Sequence, residues 1–150
     1  MSIQIVPAER EHAFVCAALT VQADLEDGGE RRDGFLTEYA DAWLADFERT
    51  PTWLAFADDG TAVGLVVTSW VKKLPSLTRP TVGWLHVKLV FVSPAYRGKG
   101  TAERMLKTML RWGDEHAITR YQLNAEPKAR TLYERLGFGP ADERLMQLQR

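Results

Sequence analysis

The chain has 150 residues, a net charge of −1, 26% charged residues and a single cysteine. This length fits one domain, residues 1–150, that can bury a core of its own. The near-neutral charge supplies no general attraction for nucleic acid or an anionic membrane, and one cysteine excludes an internal disulfide. We see neither a signal peptide nor an apolar stretch of the roughly 20 residues that would span a bilayer, so we expect a cytoplasmic protein.

The first half of the chain predicts a strand, two helices and a hairpin. Pro7 stops the first strand, and a loop over residues 26–34, rich in glycine and charge, separates two stretches of helical apolar spacing. The sequence Asp58-Asp59-Gly60 is typical of a tight hairpin turn. The predicted ranges are strands at 3–6, 53–57 and 63–71 and helices at about 8–25 and 35–48.

The second half alternates strands and helices after a proline-containing loop over residues 72–80. The predicted ranges are strands at 81–92, 120–124 and 144–149 and helices at 98–115 and 127–136. The whole order is β-α-α-β-β-β-α-β-α-β. A meander followed by alternating strands and helices predicts an α/β (α+β) fold, with a mixed sheet of about six or seven strands and helices on both faces.

A glycine-containing turn, Arg97-Gly98-Lys99-Gly100, joins the strand predicted at 81–92 to the following helix. The first amides of a helix have no partner within it, and the helix dipole adds partial positive charge there. Glycine lets a phosphate approach the backbone, and Arg97 and Lys99 add charge. We therefore predict a phosphate or pyrophosphate site, although an ordinary strand-to-helix turn would also use glycine. The spacing fits neither a nucleoside-triphosphate loop nor a dinucleotide fingerprint, which needs glycine where Glu103 stands.

Two motifs, in this order, resemble the GCN5-related N-acetyltransferase (GNAT) superfamily. Arg97, Gly100 and Ala102 match the Arg/Gln-x-x-Gly-x-Gly/Ala signature of the family's coenzyme A pyrophosphate loop. The sequence Leu132-Tyr133 with Gly137-Phe138 matches its Leu-Tyr-x-x-x-Gly-Phe element. The resemblance covers residues 50–150 well and the first 50 in outline. It implies the GNAT fold, with acetyl-coenzyme A as co-substrate and no metal.

The resemblance also implies which residues bind the coenzyme. The strand end would pair its backbone with the pantetheine arm, although its apolar side chains alone would be read as core. The turn would bind pyrophosphate through backbone amides. Asn124 is a candidate because the family's asparagine position holds Glu126 here, and Lys128, like Arg130, would either meet the 3′-phosphate or be solvated. The predicted coenzyme-binding residues are Val90, Phe91, Val92, Arg97, Gly98, Lys99, Gly100, Thr101, Ala102, Asn124 and Lys128.

Two residues are predicted to be catalytic. Tyr133 matches the family tyrosine that protonates the leaving thiolate, a transfer that suits a phenol of pKa about 10 and a thiol of about 8.5. His86 stands eleven residues before Arg97, where the histone-acetylating branch has its glutamate base. On a strand without a bulge, His86 would share a face with Lys88 and Val90. Tyr133 could instead be a core tyrosine, and His86 could be an edge or hydrogen-bonded histidine. In many members of the family an ordered water acts as the base.

Together the motifs imply acetyl transfer to a primary amine of a small molecule or peptide, by direct attack in a ternary complex. The first two helices, their joining loop and the loop at 72–80 would form the acceptor site. Acidic residues there, such as Glu26 and Asp27, would suit a cationic amine unless they are simply solvated.

Two other functions are compatible with the motifs. An acyl-coenzyme A sensor without turnover is the main alternative, because a fold can persist after its chemistry is lost. Acetylation of charged transfer RNA is a third interpretation, against which the lack of a basic surplus weighs. The apolar alternation of residues 144–149 leads us to expect a strand that could pair across a homodimer.

Overall fold

The structure is a computed structural model that describes residues 2–79 and 83–150. The strands are β1 (Ile3–Pro7), β2 (Thr52–Ala57), β3 (Ala62–Lys72), β4 (Gly83–Val92) and β5 (Tyr121–Gln122), and the α-helices are α1 (Ala13–Glu26), α2 (Phe35–Ala45), α3 (Thr101–Glu115) and α4 (Arg130–Arg135). Short 3-10 turns lie at Arg10–His12, Phe47–Arg49, Pro94–Tyr96 and Pro127–Ala129. Within the described ranges, no helix has the length and apolar character that a membrane crossing requires.

The strands form one mixed sheet in the order β1-β2-β3-β4-β5. Each of the first four strands is antiparallel to the next, and the predicted turn at Asp58-Asp59-Gly60 joins β2 to β3. β5 runs parallel to β4 and pairs with it at Leu85 and His86. Among the described residues, β4 and β5 do not pair beyond His86. The sheet therefore opens between the end of β4 and the chain that follows β5.

Helices cover both faces of the sheet, as predicted. α3 buries Met105 and Met109 against one face, and α1 buries Leu19 against the other, where Leu54 of β2 points. Cys16 is fully buried in this second layer, and burial raises the pKa of its thiol to about 12. The thiol therefore stays protonated at neutral pH, which suits packing and not nucleophilic chemistry.

A β-bulge interrupts the pairing of β3 and β4 at Lys88. The residue pairs around it are Thr68 with Val87 and Val67 with Leu89. The extra residue shifts the side-chain alternation by one, so that Val87 and Val90 both pack on the α3 side and Leu89 packs on the side of α1 and α2. The common face of His86, Lys88 and Val90, which is expected for a strand without a bulge, therefore does not form.

The strand predicted at residues 144–149 does not form. The sheet consequently has five strands among the described residues and not six or seven. Leu145, Met146 and Leu148 are exposed. An alternating pattern becomes a strand only where a partner edge is available, and this segment pairs with no edge in the described part of the chain.

Several predicted elements are shorter in the structure. The helix expected from residue 98 begins at Thr101, because Gly98 and Gly100 adopt φ values of +79° and +78° that a right-handed helix excludes. The strand expected at 120–124 has two residues. Residues 81 and 82 of the predicted central strand lie outside the described residues.

A close contact between α3 and β5 requires glycine at position 113. A Cβ built on Gly113 would lie 1.8 Å from the Oη atom of Tyr121 and 2.8 Å from its Cζ atom. Tyr121 belongs to β5 and pairs with Leu85. Any side chain at position 113 would therefore push the ring of Tyr121 away, and with it the short strand that precedes Asn124.

Gly113→Ala is expected to destabilise the protein, by about 1 kcal/mol net. Overpacking against Tyr121 lowers the free energy of unfolding by about 1–3 kcal/mol. Alanine's higher helix propensity raises it by about 1 kcal/mol relative to glycine. In a Tyr121→Ala background the clash is gone, so the same substitution should stabilise. Urea unfolding of the four variants measures both effects. Equal changes in the free energy of unfolding in the two backgrounds would show that the contact is not the cause.

Candidate functional site

A cleft of about 590 Å³ opens where β4 and β5 separate. The second half of β4 forms one wall, and the turn at residues 96–100 with the start of α3 forms another. Residues from the end of α1 and from the segment 123–135, which includes α4, complete it. The cleft includes the turn at which the sequence predicts a phosphate or pyrophosphate site, and binding there stays a prediction.

Unpaired backbone amides concentrate at the start of α3. Within the described part of the chain, none of the N–H groups of residues 98–103 donates a hydrogen bond. On either side, Arg97 N–H donates to Pro94 O and Arg104 N–H donates to Gly100 O. A run of unpaired donors at a helix N-terminus attracts anions because the helix dipole adds positive potential. Open space around the Cα atoms of Gly98 and Gly100 lets a ligand approach.

The backbone at the end of β4 faces the cleft at alternate residues. Ser93 N–H donates to Val63 O of β3, whereas Val92 O accepts a hydrogen bond from Arg97 Nε at 2.8 Å. By strand alternation, the backbone groups of Val90 also face away from β3. Phe91 O instead faces β3, where it lies 2.9 Å from the position of a Cβ built on Gly64. The backbone groups of Val90 and Val92 therefore face the cleft and can pair with a ligand. Phe91 also lines the cleft, but its carbonyl points to β3 and cannot pair with a ligand there.

Tyr133 lines the same cleft from α4. Its ring is half-buried and meets Phe138 edge-on at 5.9 Å between ring centroids. This contact forms because Phe138 N–H donates to Tyr133 O after α4 ends, which accounts for the spacing of the second motif. Burial, and then the charge of Glu126, raise the pKa of Tyr133 above its ordinary value. The phenol therefore holds its proton at neutral pH and can donate it.

Two ion pairs lie on the cleft wall. Arg97 Nη2 donates to both carboxylate oxygens of Glu26 at 2.8 Å, which joins the turn to α1. Arg135 donates to Glu103 through Nε at 3.1 Å and Nη2 at 3.0 Å, which joins α4 to α3. Arg135 is the main cause of the lowered pKa of Glu103. Sequence analysis missed both pairs because partners 71 and 32 residues apart leave no local pattern.

Most of the predicted coenzyme-binding residues line the cleft. Asn124 and Lys128 are among them, as is Glu126. Lys99 is not in the lining, and its Nζ lies 5.9 Å from the centroid of the Tyr96 ring. The predicted residues that line the cleft are Val90, Phe91, Val92, Arg97, Gly98, Gly100, Thr101, Ala102, Asn124, Lys128 and Tyr133.

His86 lies beside the cleft and not on its wall. In the sheet it stands between Ser69 of β3 and Gln122 of β5, at the last position where β4 pairs with β5. The bulge at Lys88 puts the exposed lysine, in place of the histidine, on the lining. The assignment of His86 as a base stays a prediction, and it requires either a bridging water or an acceptor that reaches the histidine.

A second cavity, of about 620 Å³, lies beneath the loop between α1 and α2. Its lining runs through residues 29–37 and includes Asp24, which also lines the cleft. The end of α1 thus separates the two cavities. The described residues contain no group of three His, Cys, Asp or Glu side chains arranged to hold a metal ion.

The chemistry of the cleft suits an elongated ligand with an anionic end. Unpaired amides lie beside the open edge of β4, and a protonated phenol lines the same space. Phosphates would accept from the amides, and an amide-containing arm would pair with the strand edge. These features fit coenzyme A, which has a pyrophosphate and a pantetheine arm.

The family model of the Acetyltransferase (GNAT) family matches residues 19–138. No curated protein sequence matches the chain. The structure is similar to that of a predicted acetyltransferase with acetyl-CoA from Clostridium acetobutylicum, with a TM-score of 0.82 and 18% identity over 99% of this chain and 96% of that one.

Two other similar structures have acceptors in their names. A ribosomal-protein-alanine N-acetyltransferase from Brucella melitensis biovar Abortus 2308 has a TM-score of 0.76 and 22% identity, over 100% of this chain and 99% of that one. An aminoglycoside N-acetyltransferase in complex with CoA has a TM-score of 0.73 and 19% identity, over 99% and 95%. Similarity at these identities confirms the predicted fold.

Proposed function

Because the chain belongs to the GNAT family of acetyltransferases, we propose that its cleft binds acetyl-coenzyme A and that the protein transfers the acetyl group to a primary amine. The observation that supports this most is the run of unpaired N–H groups over residues 98–103 beside the open edge of β4. The phosphates would bind at the start of α3, and the pantetheine arm would lie along Val90 and Val92.

The proposed reaction is a direct attack in a ternary complex. The amine nitrogen forms a bond to the thioester carbonyl carbon, and the bond from that carbon to sulfur breaks. A backbone N–H of β4 would stabilise the charge that develops on the carbonyl oxygen. Tyr133 would supply a proton to the departing thiolate, and water or His86 would accept the proton that the amine loses.

The proposed acceptor is the amine of a small molecule or peptide. The similar structures include enzymes named for an aminoglycoside and for a ribosomal protein's alanine, so the fold accommodates both classes. Asp24 and Asp27 line the cleft at the end of α1, and neither forms an ion pair among the described residues. Their charge would favour a cationic amine near the thioester. The setting that we propose is the cytoplasm.

The second candidate is an acyl-coenzyme A sensor without turnover. The position of His86 outside the cleft lining favours it, because the residue predicted as the base is not where an acceptor would be expected. Tyr133 favours the enzyme, because a half-buried phenol on the cleft wall is in place to act as an acid. The two functions differ in whether free coenzyme A is produced.

Release of free thiol from acetyl-coenzyme A, measured across polyamines, aminoglycosides, amino acids and peptide N-termini, tests the proposal. Release that depends on one amine class would establish the enzyme and identify the acceptor class. Calorimetry with coenzyme A is run in parallel. Binding without release for any amine would favour the sensor, and no binding at all would contradict both candidates.

A further inference from the structure

Three side-chain hydrogen bonds tie the end of α1 to the turn that follows β4. Ser93 Oγ donates to Gln22 Oε1 at 2.9 Å, and Arg97 Nη2 donates to both carboxylate oxygens of Glu26 at 2.8 Å. Gln22 and Glu26 are four residues apart, so they project from the same face of α1. We call these four residues the clasp. It joins the coenzyme-binding turn to the helix that walls both cavities.

The clasp holds the Arg97 guanidinium from three sides. Besides the two bonds to Glu26, Arg97 Nε donates to Val92 O, and its Cζ atom lies 5.6 Å from the centroid of the Phe91 ring. Two N–H groups remain on Nη1 without an acceptor among the described residues. Arg97 can therefore donate to an anion in the cleft while it keeps its contacts with Glu26 and Val92.

Stability alone does not account for the clasp. The side chains of Arg97 and Glu26 are 44% and 37% exposed. An ion pair with that exposure contributes at most about 1 kcal/mol, because water and salt screen it. The bonds of Nη2 to Glu26 and of Nε to Val92 O instead fix the orientation of the guanidinium beside the turn.

Backbone hydrogen bonds join the last turn of α1 to the first residues of the loop that follows it. Asp27 N–H donates to Ala23 O, Gly28 N–H donates to Leu25 O, and Gly29 N–H donates to Asp24 O at 2.8 Å. The first residues of the loop are therefore fixed to the last turn of α1. The same loop forms half of the lining of the second cavity, through residues 29–34. Contacts thus run without a break from the coenzyme-binding turn to that cavity.

We propose that Glu26 is a positioning residue that, through Arg97, couples coenzyme binding in the cleft to the order of residues 27–34. The inference rests on the proposed function. A pyrophosphate on the amides of residues 98–103 and on Arg97 restrains the guanidinium, which restrains Glu26 and the end of α1. Coupling between two binding sites is reciprocal. A ligand that binds the second cavity more tightly when residues 27–34 are ordered therefore strengthens coenzyme binding by the factor by which the coenzyme strengthens its binding.

Hydrogen–deuterium exchange with coenzyme A as the probe tests this coupling. In the unaltered protein, saturating coenzyme A is expected to slow exchange at residues 98–103 and, by about fivefold or more, at residues 27–34, since couplings start near that size. In Glu26→Gln, we expect protection at 98–103 to remain and protection at 27–34 to be lost. Glu30→Gln, which removes a charge from the same loop, should keep both.

Two results would overturn the coupling alone. One is protection at residues 98–103 with none at residues 27–34 in the unaltered protein. The other is protection at 27–34 that survives in Glu26→Gln and in the double variant Gln22→Ala, Glu26→Gln. Absence of protection at both segments would reject the proposed coenzyme site itself, and the coupling with it.

Discussion

Tyr133→Phe is expected to lower the turnover number by at least about tenfold, because the loss of a general acid typically costs two to four orders of magnitude and water can replace part of it. The affinity for coenzyme A should stay unchanged, because the ring and its edge-on contact with Phe138 remain. Burial and the charge of Glu126 keep the pKa of the Tyr133 phenol above 10, its ordinary value. Tyr133 should thus remain an acid throughout the neutral range.

Tyr121→Phe is the matched control for this prediction. It also removes the hydroxyl of a half-buried tyrosine, but Tyr121 does not line the cleft. Steady-state kinetics and calorimetry are measured on both variants. Unchanged turnover in Tyr133→Phe, or an equal loss in Tyr121→Phe, would remove Tyr133 from the catalytic mechanism.

Gly100→Glu is expected to weaken coenzyme A binding by about 2 kcal/mol or more, roughly thirtyfold in Kd, while the protein stays folded. Gly100 immediately precedes α3 with a φ of +78°, and no atom lies near the position of an added Cβ. A carboxylate there would compete with the phosphates for the unpaired amides of residues 98–103 and would repel them. Calorimetry gives the affinity, and thermal unfolding monitors the fold.

Two controls separate the charge from the backbone strain. Gly100→Ala introduces the same cost of a positive φ without the charge, and it should weaken binding only slightly. Gly60→Glu places the charge at a φ of +86° in the turn between β2 and β3, away from the cleft, and it should leave binding intact. If Gly100→Glu binds coenzyme A as tightly as Gly100→Ala does, the phosphates do not lie at this turn.

The features that the sequence predicted well depend on neighbours along the chain. The turn at 97–100 carries its glycines and its charges within a few residues of the start of α3, so its backbone shape follows from local geometry. Anion binding at this turn stays a prediction. The motif around Tyr133 is equally local, because Phe138 N–H returns to Tyr133 O. Both elements line the cleft, and the coenzyme contacts that the resemblance implies for them stay predictions.

The features that it did not predict depend on partners far away in the chain. The bulge at Lys88 arises from the pairing with β3, and no residue type near Lys88 indicates an extra, unpaired residue in the strand. The pair of Glu26 with Arg97 forms only after folding brings α1 to the turn before α3, and that of Glu103 with Arg135 only after it brings α3 to α4. Residues 144–149 have a strand's pattern but pair with no edge among the described residues, so pattern alone was insufficient.

The most direct test of the coenzyme site is the change in the amide ¹H–¹⁵N spectrum of the labelled protein as coenzyme A is added. If the unpaired N–H groups bind the phosphates, the resonances of Gly98, Gly100 and Thr101 should shift together and saturate at one affinity. The resonance of Gly60, in a distant turn, should not move. Saturable binding that leaves the resonances of Gly98, Gly100 and Thr101 in place would contradict the proposal that the phosphates bind at this turn.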